Sequence, residues 1–569
     1  MLPTRKWKKA ASAVAAMAAL SLVAACGGDS SDPTDPEGDV NGDGAPPADG
    51  PVLAVFAGDQ TPIVGNFNPY SPTVLAPALG AIYEPLFFYN KAEARDPLPL
   101  LGESVEWNED GTELTITLRE GVEWNDGEPF TADDVVFSFT NEAVRMDYVD
   151  AATAVNDTTV EIAFNTTSFT NEYSLLGATY IVPEHVFGEL DDLVTFDNAE
   201  EPVGTGAFMV ENVTSAAYTI AANPNYWDED RPGINTVQYL GIDGNSSAES
   251  LFRAGELDYS TFFVPDPDSL IQPHDLGYLN TSSPNPIVIM ICSNEELGCE
   301  GMQTDKAVRQ ALNVAIDRAE INEKAYYDLA GPASPTLVKP DRDEEWVADG
   351  MPLDNPETAD PDAARQILED AGYTEGSDGI YEMDGERLSI LIESVEGWSD
   401  ANAAAELMVS QARAAGIELR NETVTEVQYS DRRMTGEYTM FVGAIFGTPI
   451  SDPYVIYRDS LTTNYTQPVG TSLEPSQTNF ARYSNPEVDE AVAIAASTND
   501  EDVKKEAYAT IQEHIVEDLP YISMFHGGSQ TFFNQTDFDG WPSEDDLYAF
   551  PASWDGVSAA YVLSSLTYK

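Results

Sequence analysis

Residues 123–139 read EWNDGEPFTADDVVFSF. Asp126-Gly127 is a turn pair, and Thr131 stands where a helix needs a cap. Asp134, three residues on, completes a capping box, and Val135, Val136 and Phe137 open an apolar face. Upstream, residues 103–118 read as a hairpin. Asp110-Gly111 makes its turn, and Leu114, Ile116 and Leu118 alternate with polar residues. Downstream, Val160, Ile162 and Phe164 alternate after the Asn156-Asp157 turn. Strand pairs around a capped helix predict a mixed α/β body.

Further out the period lengthens. Val308, Ala311, Leu312, Ala315 and Ile316 share a helical face after Lys306. Asp360-Pro361 starts another helix, with Ala364, Ile367, Leu368 and Ala371 on its face and Gly372 to end it. A helix through Ala404, Leu407, Met408 and Gln411 stops at Gly416, before a strand at Ile417-Glu418-Leu419. Asn485-Pro486 opens one more, and Val503 to Val516 reads as the next. These stripes are read as core.

The chain has 569 residues, 42% of them hydrophobic, which suits two or three packed units rather than one core. Its formal net charge is −71. Such a surface repels nucleic acid and anionic lipid heads, which argues against both as partners. The acid is spread along the whole chain, so it reads as solvation, suited to a salty habitat, before it reads as a docking patch.

Arg5, Lys6, Lys8 and Lys9 precede an uncharged, mostly apolar run from Ala10 to Ala25, the length of a signal-peptide core and short for a membrane span. It ends Leu22-Val23-Ala24-Ala25-Cys26-Gly27. That end resembles the bacterial lipobox, in which the cysteine is lipidated and becomes the first mature residue; the plainer alternative is secretory cleavage after Ala25. Residues 27–50 carry seven acids, no base and almost no bulky apolar side chain, the composition of a flexible spacer. The expectation is an extracytoplasmic protein, lipid-anchored through Cys26 to the outer face of the cytoplasmic membrane.

Two further cysteines, Cys292 and Cys299, are expected to form a disulfide in an oxidising compartment. His185, His274, His514 and His526 are scattered, so no metal site is expected. Walker, dinucleotide, H-E-x-x-H and G-x-S-x-G motifs are absent, so no catalytic residue and no cofactor is assigned.

Six stretches in order resemble the family 5 extracellular solute-binding proteins, the oligopeptide-binding type of ABC importer receptor. They are Asn68-Pro69-Tyr70 with Tyr83-Glu84-Pro85-Leu86; the run 123–139; Gly204-Thr205-Gly206-Ala207-Phe208 with Asn223-Pro224-Asn225-Tyr226-Trp227; residues 253–258; residues 308–318; and residues 483–489. The family usually carries Phe where this chain has Trp124. The resemblance implies an α/β, periplasmic-binding-protein-like type II fold, with two hinged lobes and an inserted third subdomain (cluster C type). Residues 1–25 would be the signal peptide and 26–50 the tether. Residues 51–85, 203–285 and 517–569 would form lobe I, 86–202 the inserted subdomain and 286–516 lobe II. It further implies a monomer that is not an enzyme, closes on a small-molecule ligand and docks on separate permease and ATPase chains.

Peptide-binding relatives place an aspartate shortly before an Asp-Pro pair, where it neutralises the peptide amino terminus. In Phe446-Gly447-Thr448-Pro449-Ile450-Ser451-Asp452-Pro453 that place falls on Pro449. Glu396-Gly397-Trp398-Ser399-Asp400 and residues 540–550 resemble the oligosaccharide-binding branch instead. An oligosaccharide is therefore the expected ligand and a peptide the alternative; a nickel or metal-chelate receptor and a sensory lipoprotein are more distant ones. Candidate ligand contacts are Phe67, Tyr70, Tyr83, Trp398, Phe446, Asp452 and Trp541. Aromatic planes suit sugar rings.

Overall fold

The computed structural model describes residues 50–569 apart from 60, 72, 142, 144, 145, 147, 475 and 476. The leader, Cys26 and all but the last residue of the tether lie outside the described residues.

The sequence around Thr131 folds as its residues dictate. Asp126 accepts from the Glu128 N–H, and Gly127 adopts φ +89°, a left-handed turn that favours glycine. Thr131 and Asp134 form the capping box of the helix Ala132–Thr140, with the Thr131 N–H donating to Asp134 Oδ2 at 2.9 Å. That helix packs on a four-stranded antiparallel sheet ordered Gly102–Trp107, Glu113–Leu118, Thr159–Phe164, Val149–Asn156. Leu114, Ile116, Leu118, Val160 and Ile162 fill its core beside Trp124, which is fully buried. Sheet and helix form a subdomain with its own core.

A ten-stranded sheet carries the rest. Its middle is the antiparallel pair Gly277–Ile291 and Tyr521–Phe533, in register from Gly277 with Phe533 to Met290 with Tyr521, and interrupted between Ser282 and Pro286. On one side follow Tyr259–Thr261, Leu53–Phe56, Thr236–Leu240, Ala217–Ala222 and Phe208–Val213. Leu53, Val55, Tyr239 and Ile220 from these strands pack with the helices Ala76–Ile82 and Gly556–Ser565 as the first lobe.

On the other side follow Met440–Ala444, Ser389–Val395 and Glu418–Val424. One face of this half packs Ile289, Ile390 and Ile392 under the helices Lys306–Ala315 and Ser399–Ala414. The opposite face packs Met290 and Phe441 with Tyr457, Tyr508 and Ile511. Helices on both faces keep Val288 to Ile291 and Met440 to Gly443 buried on both sides. The expected helix starts appear with their caps: Asp305, Asp360 and Asn485 each accept a backbone N–H from the first turn of the helix that follows. Cys292 and Cys299 form a disulfide with Cα atoms 5.5 Å apart. No helix among the described residues is long and apolar enough to cross a membrane.

One carboxylate is buried where the first lobe meets the subdomain. Glu84 is 4% exposed. The Trp227 indole N–H lies 3.1 Å from each of its oxygens and the Tyr226 hydroxyl donates at 3.0 Å. Arg119 lies over the Trp227 ring at 3.8 Å. Burial pushes the carboxyl up to about 7, against the pull of these donors.

Candidate ligand-binding cleft

The strand Met440–Ala444 delivers the chain into a loop, residues 446–453, that faces the subdomain. Its path is set by backbone contacts. A Cβ at Gly447 would stand 1.7 Å from the Pro284 carbonyl oxygen, so the loop hugs the central strand pair only with glycine there. The Gly447 N–H donates to Asn285 Oδ1 at 2.9 Å.

Arg342 then holds the loop from behind. Its Nε and Nη2 pair with both oxygens of Asp343 at 2.7 Å, and both side chains are almost fully buried. The same guanidinium donates to the carbonyls of Thr448 at 2.9 Å and Ile450 at 2.8 Å, and across the cleft to that of Lys91 at 3.0 Å. A planar fork with five donors is the side chain suited to this. The Trp346 indole N–H adds a bond to the Ser451 carbonyl at 2.9 Å. Asp452 accepts from Lys504 at 2.8 Å, the Tyr508 hydroxyl at 2.6 Å and the Tyr454 N–H at 2.9 Å.

The facing wall comes from residues 89–97 and 169–173. Between it and Ile450 and Ser451 lies a cavity of about 640 Å³, bordered by Tyr89, Asn90, Glu93 and Glu172. Ligand pockets span roughly 300–1,000 Å³. A second chamber of about 160 Å³ shares Glu172 and Ile450 with it and adds Phe169, Tyr173, Tyr454, Asp452 and Lys504. Glu172 is oriented by the Trp107 indole N–H at 2.8 Å and the Tyr89 hydroxyl at 3.1 Å. Nearby, Lys91 pairs with Asp555 at 2.6 Å. Burial alone would lower the Lys91 proton affinity, but the Asp555 charge and hydrogen bond, with Tyr173 and Tyr180 nearby, together outweigh it and hold the amine above its ordinary range. Arg458 lies over Tyr454 and Tyr465 and reaches Asn171 of the subdomain at 3.5 Å. Two other hollows, about 650 Å³ around the disulfide and about 410 Å³ around Arg318, have no wall from residues 86–202. The two chambers at Ile450 are walled from both sides of the cleft.

The residues singled out from sequence scatter over the molecule. Phe67 is fully buried, edge-on to Tyr218 at 5.6 Å. Tyr83 is fully buried as well, its hydroxyl accepting from Asn198 at 2.7 Å. Neither presents surface to a ligand here; both rings are core of the first lobe. Tyr70 packs edge-on against Phe187, and its hydroxyl accepts from Asn141. Trp541 stacks on Phe533 at 4.9 Å and donates to the Asn534 carbonyl. Trp398 precedes the helix Ser399–Ala414, half-buried and edge-on to Tyr429 at 5.3 Å. Phe446 is 52% exposed at the head of the loop, and Asp452 lines the second chamber with its carboxylate committed as described. The structure thus brings Phe446 and Asp452 onto one loop. Tyr89, Glu172, Tyr173 and Arg342 carry no sequence motif and emerge only from the fold. No group of three or more His, Cys, Asp or Glu that could hold a metal ion occurs among the described residues.

Comparison with known proteins gives concordant results. The model of the bacterial extracellular solute-binding proteins, family 5 Middle, matches residues 96–467. Protein XP55 of Streptomyces lividans is 30% identical over 462 residues, 79% of this chain and 76% of that protein. The oligopeptide-binding protein AppA of Bacillus subtilis is 25% identical over 446 residues, 75% of this chain and 77% of that protein. Among solved structures, the periplasmic oligopeptide-binding protein of a Thermotoga maritima ABC transporter superposes with a TM-score of 0.81 at 25% identity, covering 91% of this chain and 99% of that one. The same protein bound to mannohexaose gives 0.77 at 24% identity, covering 91% and 98%.

Proposed function

The chain belongs to the bacterial extracellular solute-binding proteins of family 5, and from that premise we propose that it captures a neutral oligosaccharide in the cleft at Ile450 for import. It is the substrate-binding protein of an ABC importer, of a family whose members are extracytoplasmic binding proteins. The sugar, the anchor and the separate permease and ATPase chains are the proposed part.

One observation carries the sugar reading: the loop 446–453 has no carboxylate free for a peptide amino terminus. Pro449 stands where peptide-binding relatives resemble one another in carrying an aspartate, and Asp452 is bound by Lys504 and Tyr508. A charged amine entering a closed cleft loses water, and that cost needs an opposing acid. A sugar needs hydrogen-bond partners and aromatic faces, and Tyr89, Phe169, Tyr173 and Tyr454 border the chambers. The Thermotoga maritima relative, described as oligopeptide-binding, is also described with mannohexaose bound. Ligand would draw the two lobes together about the central strand pair.

A thermal-shift panel of β-linked oligosaccharides and of di- to pentapeptides tests the assignment. Ligand at 100 times its Kd stabilises by about 2.7 kcal/mol, so a clear upward shift with at least one neutral oligosaccharide is expected. Shifts with several peptides, weakened by acetylating their amino termini, and none with any sugar would overturn it.

The proposed anchor is Cys26. Cys26→Ala is expected to appear in the medium or as uncleaved precursor on fractionation. A variant still cleaved, membrane-bound and released only by detergent would refute lipidation.

A further inference from the structure

We infer that Glu172 is a ligand contact that sets the charge selectivity of the cleft, accepting hydroxyl or ammonium donors and turning away anions. The inference rests on the reading of the cleft as the binding site, and it concerns the class of ligand rather than its identity.

Glu172 and Ile450 are the two residues common to both chambers, so a ligand filling either one meets this carboxylate. Its direction is fixed. Trp107 donates to one oxygen and Tyr89 to the other, from the same side chain's two ends, which leaves the remaining lone pairs for a guest. Its charge is also unmatched. Every base around the cavity already has an acid: Arg95 lies between Glu93 at 2.5 Å and Asp546 at 2.9 Å, Lys504 meets Asp452, and Lys91 meets Asp555. Glu172 has no ion-pair partner among the described residues. An unpaired carboxylate on the wall of a partly open cleft penalises a second negative charge and rewards a hydrogen-bond donor or a cation. Neutral sugars with free hydroxyls and amine-bearing ligands share the chemistry it accepts; uronates and acidic peptides do not.

The test measures Kd for wild type and Glu172→Gln at low salt with four probes. These are a neutral β-1,4-linked glucose pentamer, a uronate oligomer of similar length, an alanine tripeptide and its N-acetyl form. Gln keeps an acceptor for the Trp107 indole N–H, can donate its amide to the Tyr89 hydroxyl oxygen, and removes the charge; unchanged melting confirms that the fold is intact. Wild type is expected to bind the neutral or amine-bearing member at least about tenfold more tightly than its anionic or acetylated counterpart. Glu172→Gln is expected to shrink that ratio at least threefold. If the tripeptide binds and no sugar does, the oligosaccharide reading fails, and the inference still stands or falls on whether Glu172→Gln weakens the free amine alone. A ratio unchanged within twofold, or no binding of any probe to wild type, overturns it.

Discussion

Arg342→Ala is expected to destabilise the protein by roughly 3–5 kcal/mol, the range for breaking a buried ion pair from one side. The reason is what it leaves behind. Asp343 is as buried as its partner and would keep a charge with no counter-ion. The carbonyls of Thr448, Ile450 and Lys91 would lose their donor at the same time. Ligand affinity should fall with stability, because the loop that borders the cavity loses its clamp from behind. Chemical denaturation of the single variants and of the double Arg342→Ala/Asp343→Ala checks the mechanism. The double should recover part of the loss, since it removes the stranded charge. A cost below about 1 kcal/mol, the scale of an exposed pair, would show that the cluster is solvated and the burial argument wrong.

The second large effect is on pH dependence. Glu84 has a folded value near 7 against an ordinary 4.5. Below about pH 4.5 the carboxyl is protonated in both states and costs nothing. Between 4.5 and 7 the unfolded chain ionises first, while the folded protein keeps the proton. Stability therefore falls as pH rises through that window and levels off above it, a loss of about 3 kcal/mol from this group. Other acids in so negative a chain contribute their own slope, so the informative quantity is a difference. Glu84→Gln keeps an acceptor for Trp227 and Tyr226 but cannot ionise. Its stability relative to wild type should rise by about 3 kcal/mol between pH 4.5 and pH 8. Parallel stability-pH curves for the two proteins would contradict the assignment.

Local structure was legible wherever one period dominates. The hairpin at Asp110-Gly111, the Thr131 cap and the helices after Asp305, Asp360 and Asn485 depend on contacts a few residues apart, and short patterns report those. The cleft depends on contacts between residues near 90, 172, 342 and 450, which no window spans. Several aromatic candidates are packed away for a physical reason: burying a large ring is worth more than holding it exposed for a guest. Phe67 and Tyr83 accordingly sit in the first lobe's core, and Trp541 on Phe533. Asp452 reads as a free acid until Lys504, 52 residues later, is folded against it. Arg342-Asp343 looks like one more charged pair in an acidic chain, and only its burial distinguishes it.

The loop 446–453 is gripped by its backbone. Arg342 and Trp346 bind the carbonyls of Thr448, Ile450 and Ser451 rather than any side chain of the loop. Carbonyls are the same whatever residue carries them. The frame can therefore hold its shape while the less buried letters at 449 and 451 are rewritten, which is the condition for drift from one guest to another without passing through an unfolded ancestor. It also makes these positions a practical starting point for a sensor library. Randomising Pro449 and Ser451, with buried Thr448 and the packed Ile450 kept, should return folded variants with altered ligand preference.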